Sequence, residues 1–357
     1  MRRIISFIMI IQVILLSNFV VFYDSYVEAE SGSITVIGTL PMPIYRASTV
    51  WDGSDAYIFG GKDGTKGLDT IVKYSPSTNT AYAIDTTLPT PKDGATAVWD
   101  GDCAYIFGGN FEGISTREIL KFDPVTSEIT KMSTELPWGL QGPGSFWDGQ
   151  YAYIFGGHDE NKIFHPEIIR YNPLDGNITV TDVLLPGVRA GVSVVWDKGN
   201  AYIFGGRNKT TIYDEILRFD TKKGEIEIMD AVLPEPIYHT SAAWSGTKAL
   251  IFGGRNESSV VDEILCYEPA SDSLSVFSKK LPSARERTSA VWIDDHAIVF
   301  GGQSGAEYSD EIMKFDPEDE TSIQPEEPFF VYQLIGVAAI MVVLVWLFGK
   351  KRRKNAG

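Results

Sequence analysis

The residues best suited to chemistry in this chain are basic and fall at fixed distances from a recurring tryptophan. Trp51, Trp99, Trp147, Trp196, Trp244 and Trp292 are spaced 48 residues apart at every step but one, which is 49. Counting back five and seven positions from them gives Arg46, Lys92, Arg189, His239, Arg285 and Arg287. A second set follows each Gly-Gly pair: Lys62, Asn110, His158, Arg207, Arg255 and Gln303. Cations brought together from separate repeats would attract an acidic ligand, and arginine suits a carboxylate because its planar fork donates two parallel hydrogen bonds. The alternative is structural. Asp69, Glu118, Glu167, Asp214, Glu215, Asp262, Glu263, Asp310 and Glu311 recur downstream of the glycine pairs and could pair with the same cations.

Signals for catalysis are weak. His158, His165, His239 and His296 show no metal-ligand spacing, and no nucleophile elbow, phosphate-cradling glycine loop or Cys/His pairing occurs. No catalytic residue, metal site or cofactor is therefore expected, and binding is favoured over catalysis.

The elements that must position these residues are legible in the repeat. Ala56-Tyr57-Ile58-Phe59-Gly60-Gly61 recurs in register at Ala104, Ala152, Ala201, Ala249 and Ala297. A Leu-Pro pair recurs at Leu40, Leu88, Leu136, Leu185, Leu233 and Leu281. Each period holds four short strand-like runs; in the first these are 46–51, 56–59, 70–74 and 80–85. The first run is rich in small residues, as strands crowding an axis require. The second is continuously apolar, as expected of a strand buried on both faces. The third carries an aromatic before an Asp/Asn-Pro or similar turn: Tyr74, Phe122, Tyr171, Phe219, Tyr267 and Phe315. These aromatics and the tryptophans read as packing between repeats.

The apolar run ending in diglycine, the downstream aromatic and the period near fifty residues resemble the kelch repeat, over about 32–317. The resemblance implies an all-β, six-bladed β-propeller with four antiparallel strands per blade, and a partner-binding face around the mouth of the central channel, where both sets of basic residues would lie. Enzymes are also built on kelch propellers. Nothing here identifies the tyrosine, cysteine and histidine copper set of galactose oxidase, whereas the N-acetylneuraminate epimerases, which act on an acidic sugar, are a closer architectural analogue. After Asp316-Pro317 no fourth strand follows, so Ser33 to Gly38 is expected to complete the last blade and close the ring.

The ends of the chain point to a membrane. Residues 1–30 contain an apolar run behind Arg2 and Arg3, the layout of a signal peptide or an uncleaved signal anchor. Residues 318–328 form an acidic linker, 329–348 an apolar stretch long enough to span a bilayer, and 349–357 a basic tail. The tail is expected in the cytoplasm and the propeller outside, on a single-pass anchor; a sorting signal that is cut and replaced has a similar layout. Sequons at Asn177, Asn208 and Asn256 could carry glycans. Cys103 and Cys266 fall in the second and fifth repeats, too far apart for a disulfide. The net charge is −16; without the seven terminal cations and three N-terminal acids, 24 cations face 44 acids, about −20. Such a surface disfavours nucleic acid. The expected function is cell-surface recognition of a protein or glycan ligand, with a sugar-acid enzyme and a structural envelope protein as alternatives.

Overall fold

Inner strands of four or five residues, each closed by a tryptophan or ending beside one, set the architecture of the protein. The computed structural model describes residues 31–317; the expected signal segment, acidic linker, membrane span and basic tail lie outside them. Six four-stranded antiparallel sheets are present. Blade 1 comprises Ser48–Trp51, Ala56–Phe59, Thr70–Ser75 and Thr80–Thr87, and blade 2 Thr96–Trp99, Ala104–Phe107, Ile119–Asp123 and Glu128–Lys131. Blade 3 comprises Gly144–Trp147, Ala152–Phe155, Glu167–Tyr171 and Ile178–Leu184, and blade 4 Ser193–Trp196, Asn200–Phe204, Glu215–Asp220 and Glu225–Val232. Blade 5 comprises Ser241–Trp244, Ala249–Phe252, Ile264–Glu268 and Ser273–Val276. Blade 6 takes Ser289–Ile293, His296–Phe300 and Glu311–Asp316 from the C-terminal side and its outermost strand, Ser33–Thr39, from the N-terminal side. Ser33 pairs with Asp316 and Thr39 with Glu311, with a bulge between Val36 and Gly38. The expected closure is thus present: the chain's first strand covers what would otherwise be an open sheet edge.

Inner strands of successive blades neighbour one another around a closed circle, blade 6 against blade 1 included. Small residues permit that crowding. Every second strand is buried along its whole core segment because it packs between two neighbouring blades. Six apolar clusters result, one per interface; Tyr57, Phe59 and Ile71 of blade 1, for example, meet Ala104, Ile106, Leu120 and Phe122 of blade 2. At roughly 1.5–3 kcal/mol for each large apolar side chain removed from water, these interfaces dominate the folding energy.

The third-strand aromatics repeat one contact six times, each reaching back to the preceding blade. Tyr74 meets Phe300, Phe122 meets Phe59, Tyr171 meets Phe107, Phe219 meets Phe155, Tyr267 meets Phe204 and Phe315 meets Phe252, all edge-on at 5.4–5.8 Å between ring centres. That geometry sets a positive ring edge against a negative ring face and adds about 0.5–1.5 kcal/mol per pair beyond burial.

Diglycine clasps each blade to the next. The second glycine N–H donates to the backbone carbonyl seven residues before the next blade's tryptophan: Gly61 to Lys92, Gly109 to Leu140, Gly157 to Arg189, Gly206 to Ile237, Gly254 to Arg285 and Gly302 to Ile44, at 2.7–2.9 Å. The first glycine abuts that same carbonyl, so a Cβ there would collide with backbone. Both positions have positive φ. Cys103 and Cys266 are buried in blades 2 and 5, and no disulfide joins them.

Candidate functional site at the propeller mouth

Three successive positions ahead of each inner strand build the mouth, and they have different fates. The outermost, seven residues before the tryptophan, alternates around the ring: Ile44, Lys92, Leu140, Arg189, Ile237 and Arg285. All six are buried. Each cation finds a carboxylate at the start of its own blade's third strand. Lys92 Nζ lies 2.7 Å from Glu118, an Arg189 Nη2 2.7 Å from Glu215 and an Arg285 Nη2 2.6 Å from Glu311. Arg189 also donates to the carbonyls of Gly187 and Gly205, and Arg285 to those of Ser283 and Gly301. Lys92, Arg189 and Arg285 are therefore set apart from the other predicted ligand residues. They are internal ties without ligand-accessible surface, as the structural alternative anticipated.

The middle position was not counted in the sequence reasoning. Tyr45, Asp93, Gln141, Ala190, Tyr238 and Glu286 pair antiparallel with Lys62, Asn110, His158, Arg207, Arg255 and Gln303, the residues after each diglycine. This pairing brings the second predicted set to the rim.

The innermost position, five before the tryptophan, closes a ring. Its N–H donates to the carbonyl of the equivalent residue in the preceding blade: Arg46 to Arg287, Gly94 to Arg46, Gly142 to Gly94, Gly191 to Gly142, His239 to Gly191 and Arg287 to His239, at 2.7–3.0 Å. All six residues are left-handed, with φ between 57° and 70°. Blades 2 to 4 meet that demand with glycine. Blades 5, 6 and 1 hold His239, Arg287 and Arg46 in it, at a cost of about 1–2 kcal/mol each.

Two buried carboxylates at the middle position organise these side chains. Asp93 lies 2.6 Å from Arg46 Nε and 3.6 Å from Lys62 Nζ, and accepts from Asn110 Nδ2 at 3.0 Å. Glu286 lies 2.9 Å from His239 Nδ1, 3.5 Å from Arg255 Nη1 and 3.7 Å from Arg287 Nε. Arg46 further donates to Gln141 and Arg287 to Gln303. Burial opposes ionisation of Glu286, but the His239 hydrogen bond, Arg287 and Arg255 outweigh it and hold its carboxyl below the ordinary range. Burial pushes His239 down to about 3, aided by Arg287 and Arg46 against the pull of Glu286, so the imidazole is neutral. With its proton on Nδ1 the neutral ring donates to the Glu286 carboxylate, and with it on Nε2 the ring instead accepts from Arg287 Nε, which lies 3.2 Å from Nδ1. Burial also lowers His158, with Lys162, Arg46 and Arg207 acting in the same direction.

Arg46, Arg207, Arg287 and Lys162 line a cavity of about 210 Å³ at the mouth together with Gln141, His158, Phe164 and His239, and no carboxylate lines it. Arg207 is exposed, stands 4.9 Å over the Tyr238 ring, and has no carboxylate within ion-pair distance among the described residues. Below the ring, a channel cavity of about 240 Å³ runs between the inner strands, and Arg46, Gly142, Gly191, His239 and Arg287 border both spaces. Nine of the twelve predicted ligand residues thus gather at the rim: Arg46, Lys62, Asn110, His158, Arg207, His239, Arg255, Arg287 and Gln303. Asp93, Gln141, Lys162, Tyr238 and Glu286 were missed; four of them share the position between the two that were counted, which was the available signal.

The sequons lie away from the cavity lining. Asn177 is exposed beside the outer strand of blade 3. Asn208 Nδ2 donates to Tyr213 and Asn256 Nδ2 to Glu235, in loops whose turns their side-chain oxygens cap.

Residues 56–310 match the Attractin/LZTR1 β-propeller family. The chain belongs to this family of kelch-type propellers. Among solved structures, the one titled "Structure of YjhT" is similar with a TM-score of 0.71 and 16% sequence identity, covering 80% of this chain and 98% of that one. At that identity the likeness is one of fold. No curated protein sequence matches the chain. A kelch β-propeller of the Attractin/LZTR1 family is generally a protein-binding module, and the site described above is where such a propeller gathers side chains from every blade.

Proposed function

We propose that this propeller is a recognition module, displayed at the cell surface on its C-terminal apolar segment, that engages a protein or glycan ligand through the loops around its mouth. One observation carries the reading. At the ring where six blades of one pattern converge, three hold Arg46, His239 and Arg287 in a left-handed conformation that glycine fills in the other three. Left-handed non-glycine residues also close strand turns at Asn79, Ser127, Lys198, Asp272 and Asp294, but Arg46, His239 and Arg287 line a cavity, and strain held where side chains from several blades converge supports a functional site. The experiment is a binding screen of the full chain, in detergent or nanodiscs, against glycans and surface proteins, repeated with an Arg207→Ala/Arg255→Ala double variant. Hits lost in a folded double variant support the mouth as contact surface. Hits that bind the variant equally well place the contact elsewhere.

A second reading, a carbohydrate enzyme acting on an acidic sugar, has one observation in its favour: His158 and His239, both made less basic by burial, share the cavity with three arginines, and Glu286 backs His239. Mutarotation or proton exchange of sialic acid by the purified protein, abolished by His239→Ala, would establish it; absence of turnover would remove it.

A further inference from the structure

The geometry points to a compact-oxyanion subsite inside the mouth, with Arg207, Arg46 and Arg287 holding the carboxylate of a small hydroxylated molecule, free or as the terminal group of a glycan. This inference rests on the mouth being the binding surface and names the chemical class of what it holds.

Charge is the first ground. Six cations stand at the rim with two carboxylates: Asp93 pairs with Arg46 and Lys62, Glu286 with Arg255 and Arg287, and Lys162 and Arg207 pair with neither. Both carboxylates stand at 2% exposure behind the cations, so they orient Arg46, Arg255 and Arg287 without entering the cavity. A net of four positive charges is thereby left at the rim, on a propeller in which 24 cations face 39 acids over residues 31–317, about fifteen net negative charges. A concave site of one sign in a body of the other concentrates counter-ions of the matching kind.

Shape is the second, independent ground. Gly94 lies against the guanidinium of Arg46, and Gly191 against the ring of His239, so that a Cβ at either place would meet those groups at or below van der Waals contact. Gly94 and Gly191 leave the space that Arg46 and His239 fill. Three blades thus give up a side chain at the position where the other three supply Arg46, His239 and Arg287 to the cavity lining.

Size and lining restrict the ligand. About 210 Å³ admits a small molecule rather than a length of polymer. Gln141 is committed to Arg46 and Ser115; His158, whose Nδ1 is held by the Asp159 carbonyl, has Nε2 for a hydroxyl, and Phe164 offers one apolar face. Arginines give paired N–H donors to a carboxylate, which a neutral analogue cannot use.

The test is calorimetric titration of the full chain at low salt with glucuronate, with glucose as the match lacking the carboxylate, and with acetate and sulfate as competitors. Glucuronate is expected to bind, glucose not, and sulfate to compete. Arg207→Ala should weaken glucuronate at least tenfold, Arg207→Lys by less, and Lys280→Ala, outside the mouth, not at all, with unchanged thermal midpoints as the folding control. Equal titration by glucose and glucuronate, no titration by either, or an Arg207→Ala variant that binds like the parent overturns the subsite. The two ideas separate cleanly. Partner capture at the mouth without glucuronate binding overturns the subsite alone, and Arg207-dependent glucuronate binding by a chain that captures no macromolecule supports the subsite and counts against the recognition role.

Discussion

Replacing Arg189 and Arg207 separately by alanine tests the division between internal ties and mouth cations. The two lie 18 residues apart in the same blade region and look alike in sequence. Arg189 is fully buried, with its guanidinium 2.7 Å from Glu215, donating to two backbone carbonyls and lying 4.0 Å over the Tyr213 ring. Its removal leaves the Gly205 carbonyl without that donor and Glu215 without its cation. Breaking a buried pair costs about 3–5 kcal/mol. The Glu215 side chain is 30% exposed and can recover some hydration, so the lower end, about 3 kcal/mol, is expected. Arg207 is exposed and loses one ring contact worth about 0.5–1 kcal/mol. The gap of about 2 kcal/mol is roughly a thirtyfold difference in the folding equilibrium, well resolved by urea denaturation midpoints at constant m-value. Arg189→Met should recover part of the loss by refilling the volume without a charge. If both alanine variants fall within 1 kcal/mol of each other, the separation of the two cation sets is wrong.

Gly156→Ala should destabilise by more than 3 kcal/mol, because its Cβ would strike the Arg189 carbonyl that clasps blades 3 and 4 at a residue with φ of 65°, whereas Gly149→Ala, with φ of 102° and nothing within 4 Å, should cost only the 1–2 kcal/mol of a left-handed alanine. Thermal midpoints rank the pair, and equal losses would contradict the clasp. Acid should weaken the fold before ordinary carboxylates titrate: with His239 depressed to about 3 and His158 also lowered, the unfolded chain takes up protons first, so stability is full above about pH 6.5 and declines as pH falls toward 3. Glu286, whose carboxyl is depressed, adds a loss in the same direction below its ordinary value of 4.5. A midpoint that is flat from pH 7 to pH 4 would refute this.

Blade number, blade limits and the closing strand were legible because each was marked several times over. Trp51, the apolar run from Ala56 and the Leu40-Pro41 pair repeat in one register, and Ser33 to Gly38 occupied a place that the sequence after Pro317 left open. The mouth was legible only in part. Taking positions five and seven before the tryptophan as one set extends the two-residue alternation of a strand past the point where the strand begins, at Ser48 or Thr96. The left-handed residue at position five turns the chain there, so Arg287 faces the cavity while Arg285 runs inward to Glu311.

That turn also explains why sequence alone could not rank the arginines. A positive φ is announced by glycine at Gly94, Gly142 and Gly191, but Arg46, His239 and Arg287 occupy the same conformation without announcing it. Aligned by repeat, a column of three glycines and three large polar residues looks merely variable. Seen in the ring of N–H to carbonyl bonds that runs through all six, it is one backbone geometry that glycine would satisfy everywhere. The large residues are confined to three adjacent blades, and of the carboxylates at the neighbouring position, Glu286 belongs to the middle one and pairs with His239 and Arg287, while Asp93 belongs to the next blade and pairs with Arg46. Cations gathered on one side of the axis, at positions where glycine would meet the backbone demand, are the arrangement that a ligand binding off-centre would require.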